Sequence, residues 1–310
     1  MQQGKRIAVV GGTGFVGSYI VDSLLDEGHH VSLLVRQGSE HKVRQPNAIR
    51  MVTGNIESTK SLENLVAGCD AVVYCVGILR EVPRKGITFQ STQFGGVART
   101  VDAAQKNGVR RFLLMSANGA KHPGTAYQET KKRAEELVLA SGLDATIFQP
   151  SVIFGDPRGQ MEFATQLFRD IVKKPIPAVG FYKGLSPNSG AILMSPVHVE
   201  DVARAFVKAL DDASTSGQVY PLGGPEILSW SEMIRRVAAA SGRKKWIVPY
   251  PIAVMKIAAA LLDWLPFFPV TTDQLTMLAE GNTANPEVIT TLTGRPPMAF
   301  SPESLAYLNG

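Results

Sequence analysis

Tyr127-Gln-Glu-Thr-Lys131 places a phenol and an ammonium four residues apart. In a helix that spacing puts both on one face, one turn apart. A nearby ammonium lowers a phenol's pKa, so the pair could pass a proton to or from a carbonyl or alcohol oxygen. The same stretch also reads as an ordinary solvated helix laced by Glu129–Arg133, Lys131–Glu135 and Lys132–Glu136. Position favours chemistry, because the helix follows an apolar segment ending at Ser116. Ser116 and Asn118 precede the tyrosine by 11 and 9 residues, and Asn118 could donate a hydrogen bond to a carbonyl.

A second cluster lies near the start, where an apolar run leads into Gly11-Gly-Thr-Gly14-Phe-Val-Gly17. Gly12, Gly14 and Gly17 also satisfy G-x-G-x-x-G. The chemistry that needs this spacing is dinucleotide binding: a tight turn, close backbone approach to a pyrophosphate, and close packing of helix on strand. The triplet alone is weak, but a strand pattern precedes it and an amphipathic helix pattern follows. Gly11, Thr13, Gly14, Phe15, Val16 and Gly17 are the candidate pyrophosphate positions. An NAD-preferring site commonly carries an acid about 20 residues further on. Here Arg36 stands 19 residues after Gly17, and no acid appears before Glu40. A guanidinium there suits a 2′-phosphate, so NADP(H) is the preferred cofactor with NAD(H) admitted; the alternative is a solvated arginine at a strand end.

The elements that must hold these groups alternate. Strand patterns fall at Arg6–Val10, Val31–Val35, Ile49–Thr53, Ala71–Cys75, Arg111–Ser116 and Thr146–Gln149. Helix patterns fall between them at Val16–Asp26, Ser61–Ala67, Thr92–Gln105 and Tyr127–Ser141. Each helix-to-strand return carries a glycine suited to a left-handed cap: Gly28, Gly68, Gly108 and Gly142. The predicted fold is α/β, a doubly wound parallel Rossmann sheet over residues 1–155, completed by about 196–222 with a helix at Val202–Leu210 and a strand at Val219–Leu222. Residues 156–195 and 223–310 then form a smaller discontinuous C-terminal cap.

Four segments together carry a family resemblance: the glycine turn, Tyr127-x-x-x-Lys131, Pro150-Ser-Val-Ile-Phe-Gly155 and Val199-Glu-Asp-Val-Ala203. They resemble the extended or atypical short-chain dehydrogenase/reductase superfamily. Their order over almost the whole chain is most similar to the NAD(P)H-binding accessory subunit family of respiratory complex I and its bacterial relatives. The resemblance implies that the glycines hold the pyrophosphate, that Tyr127 is the acid/base, and that Lys131 holds the nicotinamide ribose. It further implies that Asn55 and Ile56 lie near the adenine, that Val76 and Gly77 run along the cofactor, and that Pro150 belongs to the post-tyrosine motif. Three positions depart from the family pattern. Asn55 replaces the usual Asp after Gly54, Gln149-Pro150 replaces Arg-Pro, and the Ser/Thr that assists the tyrosine has no clear counterpart at the usual spacing. An altered constellation of this kind implies a cofactor held largely for structure, in a complex I-associated or membrane-peripheral subunit. The alternatives are an active NADP-dependent oxidoreductase on a hydrophobic or quinone-like substrate, and a sugar-nucleotide epimerase.

Composition narrows the remaining classes. With 45% apolar and 19% charged residues the chain is not disordered, and with two cysteines it is neither disulfide-stapled nor a Cys-rich zinc protein. The five histidines are scattered, so no metal site is expected, and Cys75 is expected to be a buried structural thiol. The net charge of +5 falls in residues 1–150, which welcomes a polyanion. No basic run with interleaved aromatics speaks for nucleic acid. Lys5 and Arg6 lead straight into a short apolar run and glycines, so no signal peptide is expected and the location is cytoplasmic. Residues 250–270 are unusually apolar, yet Lys256, Asp263 and three prolines argue against a membrane span. That segment could cover a substrate, dock on a respiratory complex, lie on the inner membrane face, or pack within the cap. Arg243, Lys244 and Lys245 just before it suit anionic headgroups, or an ordinary wet turn.

Overall fold

The computed structural model describes residues 4–184, 186, 189–262 and 272–309. Six of its strands follow the predicted rhythm: β1 (Arg6–Val10), β2 (His30–Val35), β3 (Ile49–Thr53), β4 (Ala71–Tyr74), β5 (Arg111–Met115) and β6 (Asp144–Pro150). The strand Gln218–Leu222 joins beyond β6, giving a seven-stranded sheet in which β1 lies between β2 and β4. Pairing is parallel from β3 through β2, β1, β4 and β5 to β6. Chain order reverses at β1, so the crevice beyond the carboxyl ends of β1 and β4 is the place where such a sheet binds ligands. Strand β4 is buried along its whole length and β1 everywhere but at its first residue, as expected of strands covered on both faces.

Helices α1 (Phe15–Asp26), α2 (Thr59–Val66), α3 (Gly96–Lys106) and α4 (Ala126–Ala140) fill the crossovers. Helix α1 packs on the helix Val199–Asp211, while α2 packs on α3 and α3 on α4. Their starts are chemically defined. The Ser58 hydroxyl accepts the Ser61 N–H ahead of α2, and Thr125 with Gln128 forms a capping box on α4. The four return glycines all have positive φ, from 70° to 80°.

Two differences from the sequence reading are physical. The predicted helix Thr92–Gln105 divides into a π turn at Gln90–Gly95 and α3, because the Tyr74 hydroxyl donates to the Thr92 carbonyl and takes it into a side-chain bond. Cys75 lies just past β4, and its buried thiol donates to the Val10 carbonyl at 3.3 Å.

The chain divides into two compact units, Met1–Pro150 with Val199–Pro221 and Val288–Arg295, and Ser151–His198 with Leu222–Glu287 and Pro296–Gly310. The octapeptide Val288–Arg295 is grouped with the first unit. The second unit has its own core, containing Phe154, Met233, Ile234 and Phe300, and, among the described residues, three two-stranded sheets. The apolar segment is described as the helix Ile252–Leu262, and 263–271 lie outside the described residues. Among the described residues, no helix is long and apolar enough to cross a membrane.

The glycine turn sets a stability test. A Cβ on Gly17 would overlap the Gly11 carbonyl oxygen and lie 2.7 Å from the Gly12 Cα, whereas a Cβ on Gly28 meets nothing within 4 Å. Gly17→Ala is expected to cost about 3 kcal/mol by overpacking, and Gly28→Ala about 1 kcal/mol by its left-handed backbone alone. Urea unfolding of both variants measures the difference.

Candidate functional site

The turn after β1 is built by backbone crowding. Gly11 has φ +99°, and its Cβ position lies 2.9 Å from the Val76 nitrogen and 3.0 Å from the Cys75 carbonyl carbon. Only glycine can run this close to the end of β4. Gly12 lies against Leu33, and 2.9 Å separates its Cβ position from Val21. The Gly14 N–H donates to the Gly11 carbonyl at 3.1 Å, and the Ser18 N–H donates to the Gly14 carbonyl at 3.0 Å. Gly14 caps α1 in an extended conformation, with no side chain bonded to the cap and no acid in the first turn. A Cβ there would meet only the Gly11 oxygen, at 3.3 Å. Gly11, Gly12 and Gly17 are therefore consumed by internal packing, whereas Gly14 leaves the helix N-terminus open to a ligand. The N–H groups of Phe15, Val16 and Gly17 open α1, and Thr13 is half-buried in the turn ahead of them. This arrangement fits a pyrophosphate.

Arg36 is exposed directly after β2, where its carbonyl accepts the Ser39 N–H in a turn. Asn55 is exposed after β3, and its Oδ1 accepts the N–H groups of Glu57 at 2.9 Å and Ser58 at 3.0 Å. An amide oxygen thus keeps the local turn that a carboxylate would make, without the charge. Ile56 is half-buried, and its carbonyl accepts Nε of Arg99 at 2.7 Å.

Tyr127, Lys131 and Glu135 recur at helical spacing on α4. Lys131 is buried, donates from Nζ to the Met115 carbonyl at 3.1 Å, and lies 3.6 Å from where a Cβ on Gly77 would be. Gly77 itself is exposed beside Val76, so this ammonium sits where the backbone leaves β4. Burial pulls the Lys131 pKa down to about 8, with the Glu135 carboxylate opposing the fall. Tyr127 is half-buried with its ring edge-on to Phe89 at 5.6 Å, and burial pushes its phenol up to about 12. That direction is opposite to the sequence expectation: burial disfavours the phenolate, and the Lys131 ammonium is bonded to the Met115 carbonyl.

Ser116 is buried, and its hydroxyl donates to Glu135 Oε1 at 2.5 Å rather than to Tyr127. The same carboxylate oxygen accepts Gln149 Nε2 at 2.7 Å, and Lys132 Nζ lies 3.5 Å from the other oxygen. Glu135 has no exposed surface. The alternative reading of this helix, a solvated ladder of ion pairs, does not describe Glu135. Its signal was the spacing Tyr127, Lys131, Glu135, which continues one helix face inward. The backbone N–H of Asn118 donates to the Pro150 carbonyl at 3.0 Å, holding the loop after β5 against the end of β6. Gln93 and Thr130 carried no motif. The buried Gln93 amide donates to the Ile78 carbonyl at 2.8 Å and accepts the Thr130 hydroxyl at 3.1 Å, tying the segment after Gly77 to α4.

Comparison with known proteins agrees with this geometry. A family model described as NAD(P)H-binding matches residues 11–174. Ceramide reductase of Caulobacter vibrioides is 26% identical over 83% of this chain and 77% of its own. The mitochondrial NADH-ubiquinone oxidoreductase 40 kDa subunit of Neurospora crassa is 26% identical over 86% of this chain and 68% of its own. Among solved structures, the UDP-glucose 4-epimerase of Thermus thermophilus in complex with NAD superposes with a TM-score of 0.73 at 20% identity, covering 98% of this chain and 97% of that one. The chain belongs to the NAD(P)H-binding family, within the extended short-chain dehydrogenase/reductase superfamily.

Proposed function

We propose that this protein binds NADPH as a largely structural cofactor and serves as a complex I-associated or membrane-peripheral subunit. The observation that carries the reading is that Ser116, the nearest serine ahead of Tyr127, gives its hydroxyl to buried Glu135 and not to the tyrosine. Similarity to a respiratory NADH-ubiquinone oxidoreductase subunit supports it. In this reading Gly14 and the α1 N-terminus hold the pyrophosphate, Arg36 the 2′-phosphate, Asn55 and Ile56 the adenine, and Lys131 with Val76 and Gly77 the nicotinamide ribose. Gentle fractionation of native extract tests it. Migration with a large membrane assembly is expected; a small free species together with rapid substrate-dependent NADPH oxidation overturns it.

One observation favours a second reading, an active NADP-dependent oxidoreductase on a hydrophobic or quinone-like substrate: Tyr127 and Lys131 lie one turn apart on α4. A bound dihydronicotinamide supplies a hydride. The chain's own part is a phenol that stays protonated at neutral pH, since burial raises its pKa, and so suits giving a proton to a carbonyl oxygen rather than taking one from an alcohol. Tyr127→Phe should then abolish turnover and spare NADPH binding. A sugar-nucleotide epimerase is the weaker variant, because likeness at 20% identity carries fold and not substrate.

Cofactor choice is measurable directly. Arg36→Ala is expected to weaken NADPH binding about tenfold, the equivalent of one charge-assisted hydrogen bond, and to leave NADH binding unchanged in parallel fluorescence titrations.

The lowered Lys131 pKa fixes two signs. The ammonium is present below about pH 8 and lost above it, so NADPH affinity should fall about tenfold as pH rises through that value. Stability moves the other way. Between about 8 and the ordinary 10.5 the unfolded chain binds the extra proton, so this residue's contribution rises with pH across that window. Lys131→Met should flatten both profiles, read by cofactor titration and by urea midpoints.

A further inference from the structure

In the second unit, the strand Ala178–Tyr182 runs parallel to Ile247–Pro251, and the Ala178 N–H donates to the Trp246 carbonyl at 2.8 Å. The segments entering these strands therefore lie side by side. Together they line an open cavity of about 550 Å³. Its cations are Lys173, Lys174, Arg243, Lys244 and Lys245, and among the described residues no acid lines it. Beside them two apolar side chains face solvent, Trp246 at 82% exposure and Ile176 at 64%.

The surface is built rather than loose. Lys245 Nζ donates to the carbonyls of Val172 at 3.3 Å and Lys174 at 2.5 Å, stitching one segment to the other. The Arg243 guanidinium sits over the Phe168 ring, 5.9 Å from its centroid. Pro175 and Pro177 restrict the backbone on either side of Ile176, so the isoleucine is held outward. Lys173, Lys174 and Lys244 are left exposed around the two apolar groups.

Cations ringing an exposed tryptophan and isoleucine match one environment, the headgroup layer of an anionic bilayer. A free phosphate would answer the charges but leave Trp246 and Ile176 without a role. We propose that this face docks the protein on an anionic lipid surface, with Trp246 and Ile176 entering the headgroup region and Lys173, Lys174 and Lys244 meeting lipid phosphates. The inference rests on the membrane-peripheral part of the proposed function. It moves the contact from the 250–270 segment to the strand entrance that precedes it.

The test is flotation of the full chain with vesicles of phosphatidylcholine alone or of equimolar phosphatidylcholine and phosphatidylglycerol, with NADPH binding measured on the same samples. Binding is expected only to the phosphatidylglycerol vesicles, with release by high salt. At about 1 kcal/mol per cation, Lys173→Glu with Lys244→Glu should lower partition about thirtyfold or more, and NADPH affinity should stay unchanged. Tryptophan emission should shift to the blue on vesicle addition, and Trp246→Phe should remove most of that shift. Three outcomes overturn the proposal: no flotation with anionic vesicles, equal flotation of the charge-reversed variant, or capture by an acidic protein surface with no affinity for vesicles. Flotation without NADPH binding would overturn the cofactor reading and leave the docking face standing.

Discussion

The first unit depends on how closely its backbone can approach itself where β1 ends. Gly11 rests on the Cys75–Val76 peptide, and Gly17 rests on the Gly11 carbonyl. These two contacts set the distance from α1 to the sheet and the position of the α1 N-terminus over the β1–β4 crevice. A single methyl group at either position would push the helix off the strands and carry its N–H groups with it. Gly14 answers to a different constraint, because it has almost nothing of its own chain to meet. Three glycines in one turn thus serve internal packing, and a fourth serves access.

Around α4 the governing constraint is burial of charge. Lys131 and Glu135 lie inside the first unit one turn apart, and each has polar partners: the Met115 carbonyl for the ammonium, and the Ser116 hydroxyl, the Gln149 amide and the Lys132 ammonium for the carboxylate. Buried ions survive when their polar atoms are satisfied in this way. The arrangement ties the ends of β5 and β6 to α4 and keeps the Ser116 hydroxyl on Glu135. Gln149 matters in the same sense, since it supplies a neutral donor to Glu135 where the family pattern has a guanidinium.

The second unit is organised by its own core and by short strand pairs, and its exposed basic edge owes nothing to the nucleotide fold. Trp230 is buried there with its indole N–H donated to the Val179 carbonyl at 3.0 Å, whereas Trp246 stands in solvent. The contrast separates a tryptophan used for packing from one left free for a surface.

Much of this was legible in the chain alone. Periodicity and return glycines determined the order of strands and helices, because parallel strands buried on both faces read as apolar runs and left-handed caps demand glycine. The spacing of Gly11, Gly14 and Gly17 named the cofactor class, and that of Tyr127 and Lys131 put a phenol and an ammonium on one helix face, since both are local patterns fixed by turn and helix geometry. What one helix face meets is not local. The sequence places Glu135 one turn from Lys131, but only the fold brings Ser116 and Gln149 to the same oxygen from β5 and β6, and only burial reverses the expected direction of the Tyr127 pKa. In the same way Lys173 and Lys244 are 71 positions apart in the chain, and the parallel pairing of two short strands alone brings their segments together.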